Sequence, residues 1–216
     1  MSTDSAPKWR RLEPDERKEQ IFSCAAGLFA ERPYSEVSTS DIAAAAGVAR
    51  GLINHYFGTK RELYLVVIRR ALTVPHFAVD KLPTGSTDVR IRAAVEWFLG
   101  MLDRQGKIWL TAVAPQGIGR DPEVEQIQHD ADRESSDRVL EAVGIDPADE
   151  HWAEYNALIC AYAGMVKAAG REWLMRGSLD RDRVRALLTR TLLMVVNEMF
   201  PAVRAGTAAE TVSARG

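Results

Sequence analysis

Between Ser38 and Glu62 the sequence allows only very short helices, and that brevity restricts the fold more than any other feature. The stretch reads STSDIAAAAGVARGLINHYFGTKRE. Ser38 with Asp41 three residues later forms a capping box in which Asp replaces the usual Glu. Ile42, Ala43 and Ala46 then give a narrow apolar stripe of small side chains, and Gly47 stops the helix while Val48 turns into the core. A second short helix is expected over 50–57, and Thr59 with Glu62 opens a third through another capping box. Two short helices joined by a glycine-containing turn form a helix-turn-helix, whose second helix enters the major groove of DNA.

Placed on a helix at about 100° per residue, residues 49–57 divide into two faces. Arg50, Gly51, Asn54 and His55 share one arc, while Ala49, Leu52, Ile53, Tyr56 and Phe57 fill the other. One face packs; the other offers a guanidinium fork, an amide, an imidazole and a gap. Gly51 costs about 1 kcal/mol of helix propensity relative to alanine. That cost makes sense where something rigid must approach the backbone. Lys60 falls in the first turn of the following helix, where a cation opposes the dipole. A phosphate held at that N-terminus would reverse the penalty.

The rest of the chain follows helical periodicity, with no convincing period-two strand. A first helix is expected over 15–32, with Ile21, Ala25, Leu28 and Phe29 on one stripe and Asp15 and Glu16 at its N-terminus. A helix over 60–72 ends in TVPHFAVDKLPTGSTD, whose prolines and glycine break it. The boundary between a DNA-binding unit (1–74, with an arm over 1–14) and a second unit (75–216) is placed there. Beyond it, helices are expected near 88–104, 107–116, 122–143, 148–176 and 181–199. Their punctuation is Gly106, Gly117/Gly119, GIDP and RGSLD. The tail over 203–216 is expected to fray.

Bulk composition excludes some classes. Apolar residues make up 46% and charged residues 27%, ordinary for a globular chain. No apolar run approaches the roughly 20 residues that cross a bilayer, and the N-terminus has no apolar signal region, so a cytoplasmic location without membrane contact is expected. The net charge of −2 hides an asymmetry. Lys8, Arg10, Arg11, Arg17 and Lys18 gather near the start, and acidic residues thicken from Asp121 to Glu154. That distribution permits an anionic partner at the N-terminal end, with the Lys8–Arg11 arm reading either as a solvated tail or as a groove contact. Cys24 and Cys160 read as buried free thiols, and no Cys or His spacing suggests zinc. Glu125 and His129 lie one turn apart but lack the Glu-x-x-His partner of a di-metal bundle. No cofactor is expected.

STSDIAAAAGVARGLINHYFGTKREL, together with the upstream IFSCAAGLFAE, resembles the DNA-binding segment of the tetracycline-repressor (TetR) family of bacterial regulators. The Asp-Ile-Ala, Ala-Gly-Val, Tyr-Phe and Lys-x-x-Leu elements all stand at family spacing, and the specific match covers about 15–68. The resemblance implies an all-α fold: an N-terminal three-helix DNA-binding domain and a C-terminal helical domain for ligand binding and dimerisation. It implies a homodimer on a near-palindromic double-stranded operator, released by a small-molecule effector, and no enzymatic activity. Carried over by position, Ser38 and Thr39 touch phosphates, Arg50, Gly51, Asn54 and His55 face the groove, and Tyr56 and Lys60 hold the backbone. Three residues depart from the family pattern. Ala49 removes a hydroxyl cap, Asn54 stands where an aromatic is common, and Pro33 replaces a glycine after the first helix. Asn can pair bidentately with adenine and Arg with guanine.

In the second half, Trp97, Phe98, Met101, Trp109, Trp152, Tyr155, Tyr162, Met165 and Trp173 form an aromatic and Met-rich set at helical spacings. Core packing accounts for any one of them. As a group, with small residues between, they suit a ligand cavity. Trp97, Met101, Trp109, Tyr155, Tyr162 and Met165 are its expected lining, favouring an apolar or aromatic effector. The helices near 148–176 and 181–199 are the expected dimer surface, on family resemblance more than on periodicity. A rival reading keeps the helical bundle as a ligand-binding protein or enzyme with a vestigial DNA-binding head.

Overall fold

The computed structural model describes residues 13–75, 77–115 and 117–213, with the side chains of 77, 79 and 207–213 excepted. The described residues form helices and connecting turns, in the order α1 (Pro14–Glu31), a 3-10 turn (Tyr34–Glu36), α2 (Thr39–Ala46), α3 (Arg50–Phe57), α4 (Lys60–Leu72), the single turn α5 (Phe77–Asp80), α6 (Thr87–Val113), α7 (Pro122–Val143), α8 (Trp152–Leu174), α9 (Arg181–Met194) and α10 (Phe200–Ser213). The Lys8–Arg11 arm lies outside the described residues.

Local chemistry sets most of these boundaries. Pro14 and Pro122 open α1 and α7 at a position where the missing N–H costs nothing. Asp121 caps α7 by accepting from the Glu123 and Val124 N–H groups, and Gly144 ends it in the left-handed conformation. With Pro33 next in line, α1 ends without a left-handed residue: Arg32 is extended and its N–H reaches the Leu28 carbonyl.

One expected helix end is absent for a physical reason. Gly106 does not separate two helices, because α6 runs through it with only a local break at Gln105 (φ −132°, ψ 17°). A Cβ on Gly106 would sit 2.8 Å from Leu174 Cδ1, so this glycine serves close packing of α6 on α8. The C-terminal tail also continues as helix to Ser213. A π turn over 195–199, closed by the Phe200 N–H to the Val195 carbonyl, precedes Pro201 and gives the helix slack where proline cannot donate. The stretch Arg181–Gly206 is thereby one helix long and apolar enough, by length and composition, to cross a membrane. Most of its apolar surface lies outside the core. Cys24 and Cys160 are partly rather than fully buried.

One buried cluster contains residues from both sides of position 74. Ile21, Phe29, Ile42, Ile53, Leu63 and Ile68 of the first four helices share one buried cluster with Leu102, Trp109 and Ala112 of α6 and Val124 and Ile127 of α7. Helix α6 is the spine, packing on α1 and α4 at one end and on α7, α8 and α9 elsewhere. Two smaller clusters hold the body together, one around Tyr155, Leu192 and Phe200, the other around Leu99, Val184 and Leu188.

Candidate DNA interface and ligand cavity

Both capping boxes form. Ser38 Oγ accepts from the Asp41 N–H at 3.1 Å, and Asp41 Oδ2 accepts from the Ser38 N–H at 2.9 Å. Glu62 Oε2 likewise accepts from the Thr59 N–H at 2.6 Å, and Thr59 Oγ1 from the Glu62 N–H at 3.2 Å. These bonds hold both carboxyls below their usual range, the backbone N–H being the largest cause in each. Gly47 adopts φ 61° and ends α2, its N–H reaching the Ala43 and Ala44 carbonyls. The chain then turns sharply enough to start α3 three residues later. Ala49 caps α3 with no side-chain bond.

On α3, Ile53 is fully buried while Arg50, Gly51, Asn54 and His55 are exposed together on one face. A Cβ on Gly51 would meet nothing within 4 Å, so packing inside the chain does not account for that glycine. Ser38 is exposed and Thr39 half-buried at the start of α2. Tyr56 is half-buried, with the His55 ring edge-on at 5.1 Å.

Lys60 is also engaged within the chain. Its ammonium donates to the Tyr34 carbonyl at 2.9 Å and the Val37 carbonyl at 3.0 Å, and lies 4.0 Å from the centre of the Tyr34 ring. The charge therefore turns away from its own helix N-terminus to tie down the turn that leads into α2. Two of its three N–H groups are committed internally, and the dipole misfit is relieved without a phosphate.

Arg61 ties the head to the body. It pairs with Asp121 through two bonds of 2.9 Å and with Glu123 at 2.9 Å, which raises its own pKa and lowers that of Asp121. Nearby, Gly117 (φ 76°) brings the α6–α7 loop against the turn after α1, where a Cβ would lie 2.7 Å from Ser35 Oγ.

Within the body, α6 to α9 and the residues after α4 enclose a cavity of about 510 Å³. Trp97, Met101, Trp109 and Tyr162 line it as expected. Tyr155 and Met165 do not. Tyr155 is fully buried beside Phe200, ring centres 4.3 Å apart, and Met165 packs against the Leu99–Leu188 cluster. Helical spacing put these residues on the right helices, but the rotation of α8 selected which of them face the cavity.

Apart from Tyr162, the wall's polar groups escaped sequence reasoning, and most bond within the protein. Ser136 Oγ donates to the Asn156 carbonyl at 3.1 Å, and Tyr162 Oη to the Leu188 carbonyl at 3.0 Å, with burial pushing the Tyr162 phenol up. Lys167 pairs with Asp132 at 2.6 Å, and the buried Arg138 pairs with Glu134 one turn away. No three His, Cys, Asp or Glu side chains converge among the described residues.

A short two-helix reader with one exposed polar face, tied to a helical body that encloses an apolar cavity, defines the helix-turn-helix class of DNA-binding protein. Residues 21–67 match the family described as bacterial regulatory proteins, tetR family. The chain is 33% identical over 99 residues to the HTH-type transcriptional activator FasR of Mycolicibacterium smegmatis, a match covering 45% of each chain. It is 29% identical over 90 residues to the HTH-type transcriptional regulator EthR of Mycobacterium tuberculosis, covering 40% of this chain and 42% of EthR. These matches thus span less than half of each curated relative. The fold extends further: a tetR-family regulator from Streptomyces coelicolor superposes with a TM-score of 0.69 at 20% identity, over 94% of this chain and 90% of the other.

Proposed function

We propose that the protein is a transcriptional repressor that binds a near-palindromic operator as a homodimer and leaves it when an apolar molecule fills the cavity. The observation that carries the reading is α3. It has one buried face and one exposed face bearing Arg50, Asn54, His55 and an open Gly51, with the capped turn before it fixing its angle. Arg50 and Asn54 read base edges; Ser38, Thr39 and Tyr56 contact phosphates.

The exposed apolar side of α9 and its continuation supports self-association. Leu187, Met194 and Met199 are 39%, 43% and 40% exposed. Helix α8 offers a small-residue side alongside at Ala157, Ala161 and Gly164, all exposed. A second copy covering both helices buries that surface in an isologous contact. The aromatic and aliphatic side chains of the wall, Trp97, Phe98, Met101 and Trp109 among them, favour an apolar effector. The effector acts as a population shift, favouring a dimer whose α3 helices no longer match successive major grooves.

Selection of bound fragments from the source genome, with the wild-type chain and the Arg50→Ala/Asn54→Ala variant, tests this reading. Enrichment of a few near-palindromic sites, steeply salt-dependent and lost in the variant, supports it. Weak, sequence-blind binding by both proteins would instead favour a helical ligand-binding or enzymatic bundle with a vestigial head.

A further inference from the structure

The wall of the large cavity is mostly apolar, but its charges are not balanced. Among the described residues its charged lining is Arg70, Arg104, Arg138 and Lys167 against Asp132 alone. Three of these cations are held by carboxylates. Lys167 meets Asp132 at 2.6 Å, Arg70 meets Glu19 at 2.7 Å, and the buried Arg138 pairs with Glu134. Glu19 and Glu134 stand outside the cavity wall.

Arg104 differs from the other three. It is exposed and has no hydrogen-bond or ion-pair partner among the described residues. The carboxylates nearest to it in sequence, Asp103 and Glu96, are both taken by Arg181. Trp97, Met101 and Arg104 follow one another at helical spacing on one face of α6, and all three line the cavity. The Arg104 Nη1 folds back along the helix, 3.5 Å from where a Cβ on Gly100 would stand. The charge thus lies against the stretch of α6 between Trp97 and Met101, at the rim where wall meets water.

We infer that the effector is an elongated apolar molecule ending in one carboxylate, which pairs with Arg104 while the body runs past Trp97 and Met101 into the cavity. The inference rests on the cavity being the effector site. Length follows from the wall: along α7 the lining runs from Ala131 to Ala142, about 16 Å at 1.5 Å per residue. Size follows from the volume of about 510 Å³, roughly three times the 150 Å³ that accepts benzene. Charge follows from placement. A carboxylate at an exposed guanidinium keeps part of its water, and the planar fork offers it two parallel bonds. An ammonium in the same place would face the cations of the wall and find Asp132 already held by Lys167.

Isothermal titration of the full-length protein with decanoate, 1-decanol and decylamine, each below its micellar range, tests the inference. Decanoate is expected to bind more tightly than decylamine. Arg104→Gln should weaken decanoate about fivefold or more while leaving 1-decanol within about twofold. Ala94→Leu, which adds bulk to the wall, should weaken all three and so places the probes in the cavity. The inference is overturned if Arg104→Gln changes decanoate and 1-decanol alike or changes neither. It is also overturned if Arg138→Gln, and not Arg104→Gln, removes the preference for decanoate. In those cases 1-decanol binding that Ala94→Leu weakens still leaves the cavity as an apolar effector site. If no probe binds up to its solubility limit, or Ala94→Leu alters none of them, the effector-site reading falls together with the carboxylate.

Discussion

Gly170→Ala isolates the contact on which the cavity and the head both depend. A Cβ at this position would lie 2.6 Å from both Cη2 and Cζ3 of Trp109. Trp109 lines the large cavity, meets Phe98 edge-on at 5.9 Å and belongs to the core shared with the head. Two opposing terms set the outcome. Alanine gains about 1 kcal/mol of helix propensity over glycine. Overpacking a rigid indole costs about 1–3 kcal/mol. The net loss is therefore about 0–2 kcal/mol, or up to roughly 8 °C in Tm for a chain of this size. Magnitude alone cannot separate these terms, but the sign in a second background can. Trp109→Phe removes the clashing six-membered ring of the indole, so Gly170→Ala in that background should stabilise by up to about 1 kcal/mol. Gly27→Ala, where a Cβ meets nothing within 4 Å, serves as the propensity control and should raise Tm. Thermal unfolding followed by circular dichroism, at one protein concentration throughout, measures all four variants. Equal effects of Gly170→Ala in both backgrounds would refute the reasoning, because the cost would then not come from Trp109.

Lys60→Ala should lose about 1–3 kcal/mol of stability through its two charge-assisted backbone bonds, read by urea denaturation, even before any effect on DNA binding. The capping carboxylates Asp41 and Glu62 have folded pKa values below their unfolded ones. Their stabilisation is therefore complete above the ordinary carboxylate range and is lost as pH falls below about 4 through the folded values. Asp41→Asn with Glu62→Gln should flatten the acid limb of a Tm-against-pH curve, and an unchanged limb would show that other groups dominate it. Arg61→Gln removes the paired contacts to Asp121 and Glu123 across the head–body seam. Amide exchange should quicken at the start of α7 and α4 while the Tyr155 cluster stays protected; uniform exchange changes would argue that the pair does not join the two parts locally.

Lys60 shows where sequence reasoning reached and where it stopped. A lysine in the first turn of α4 is a real electrostatic misfit, and a phosphate was a sound local remedy. The remedy in the fold is the pair of carbonyls at Tyr34 and Val37, more than twenty positions upstream. Gly106 teaches the same lesson. As punctuation it reads as a helix stop, yet α6 continues through it because Leu174 lies where a side chain would be.

Sequence by itself determined the all-helical class, both capping boxes, the Gly47 turn and the division of α3 into a buried and an exposed face. Each depends on residues within about one or two helical turns of one another, where spacing translates directly into geometry. Tertiary structure alone decided that head and body share one core through α6, that Tyr155 and Met165 turn away from the cavity while Trp97 and Tyr162 face it, and that Tyr64 buries a hydroxyl without a partner. Those outcomes depend on how far each helix rotates and how closely it approaches its neighbours, and helix-on-helix packing sets both through contacts between residues distant in the chain.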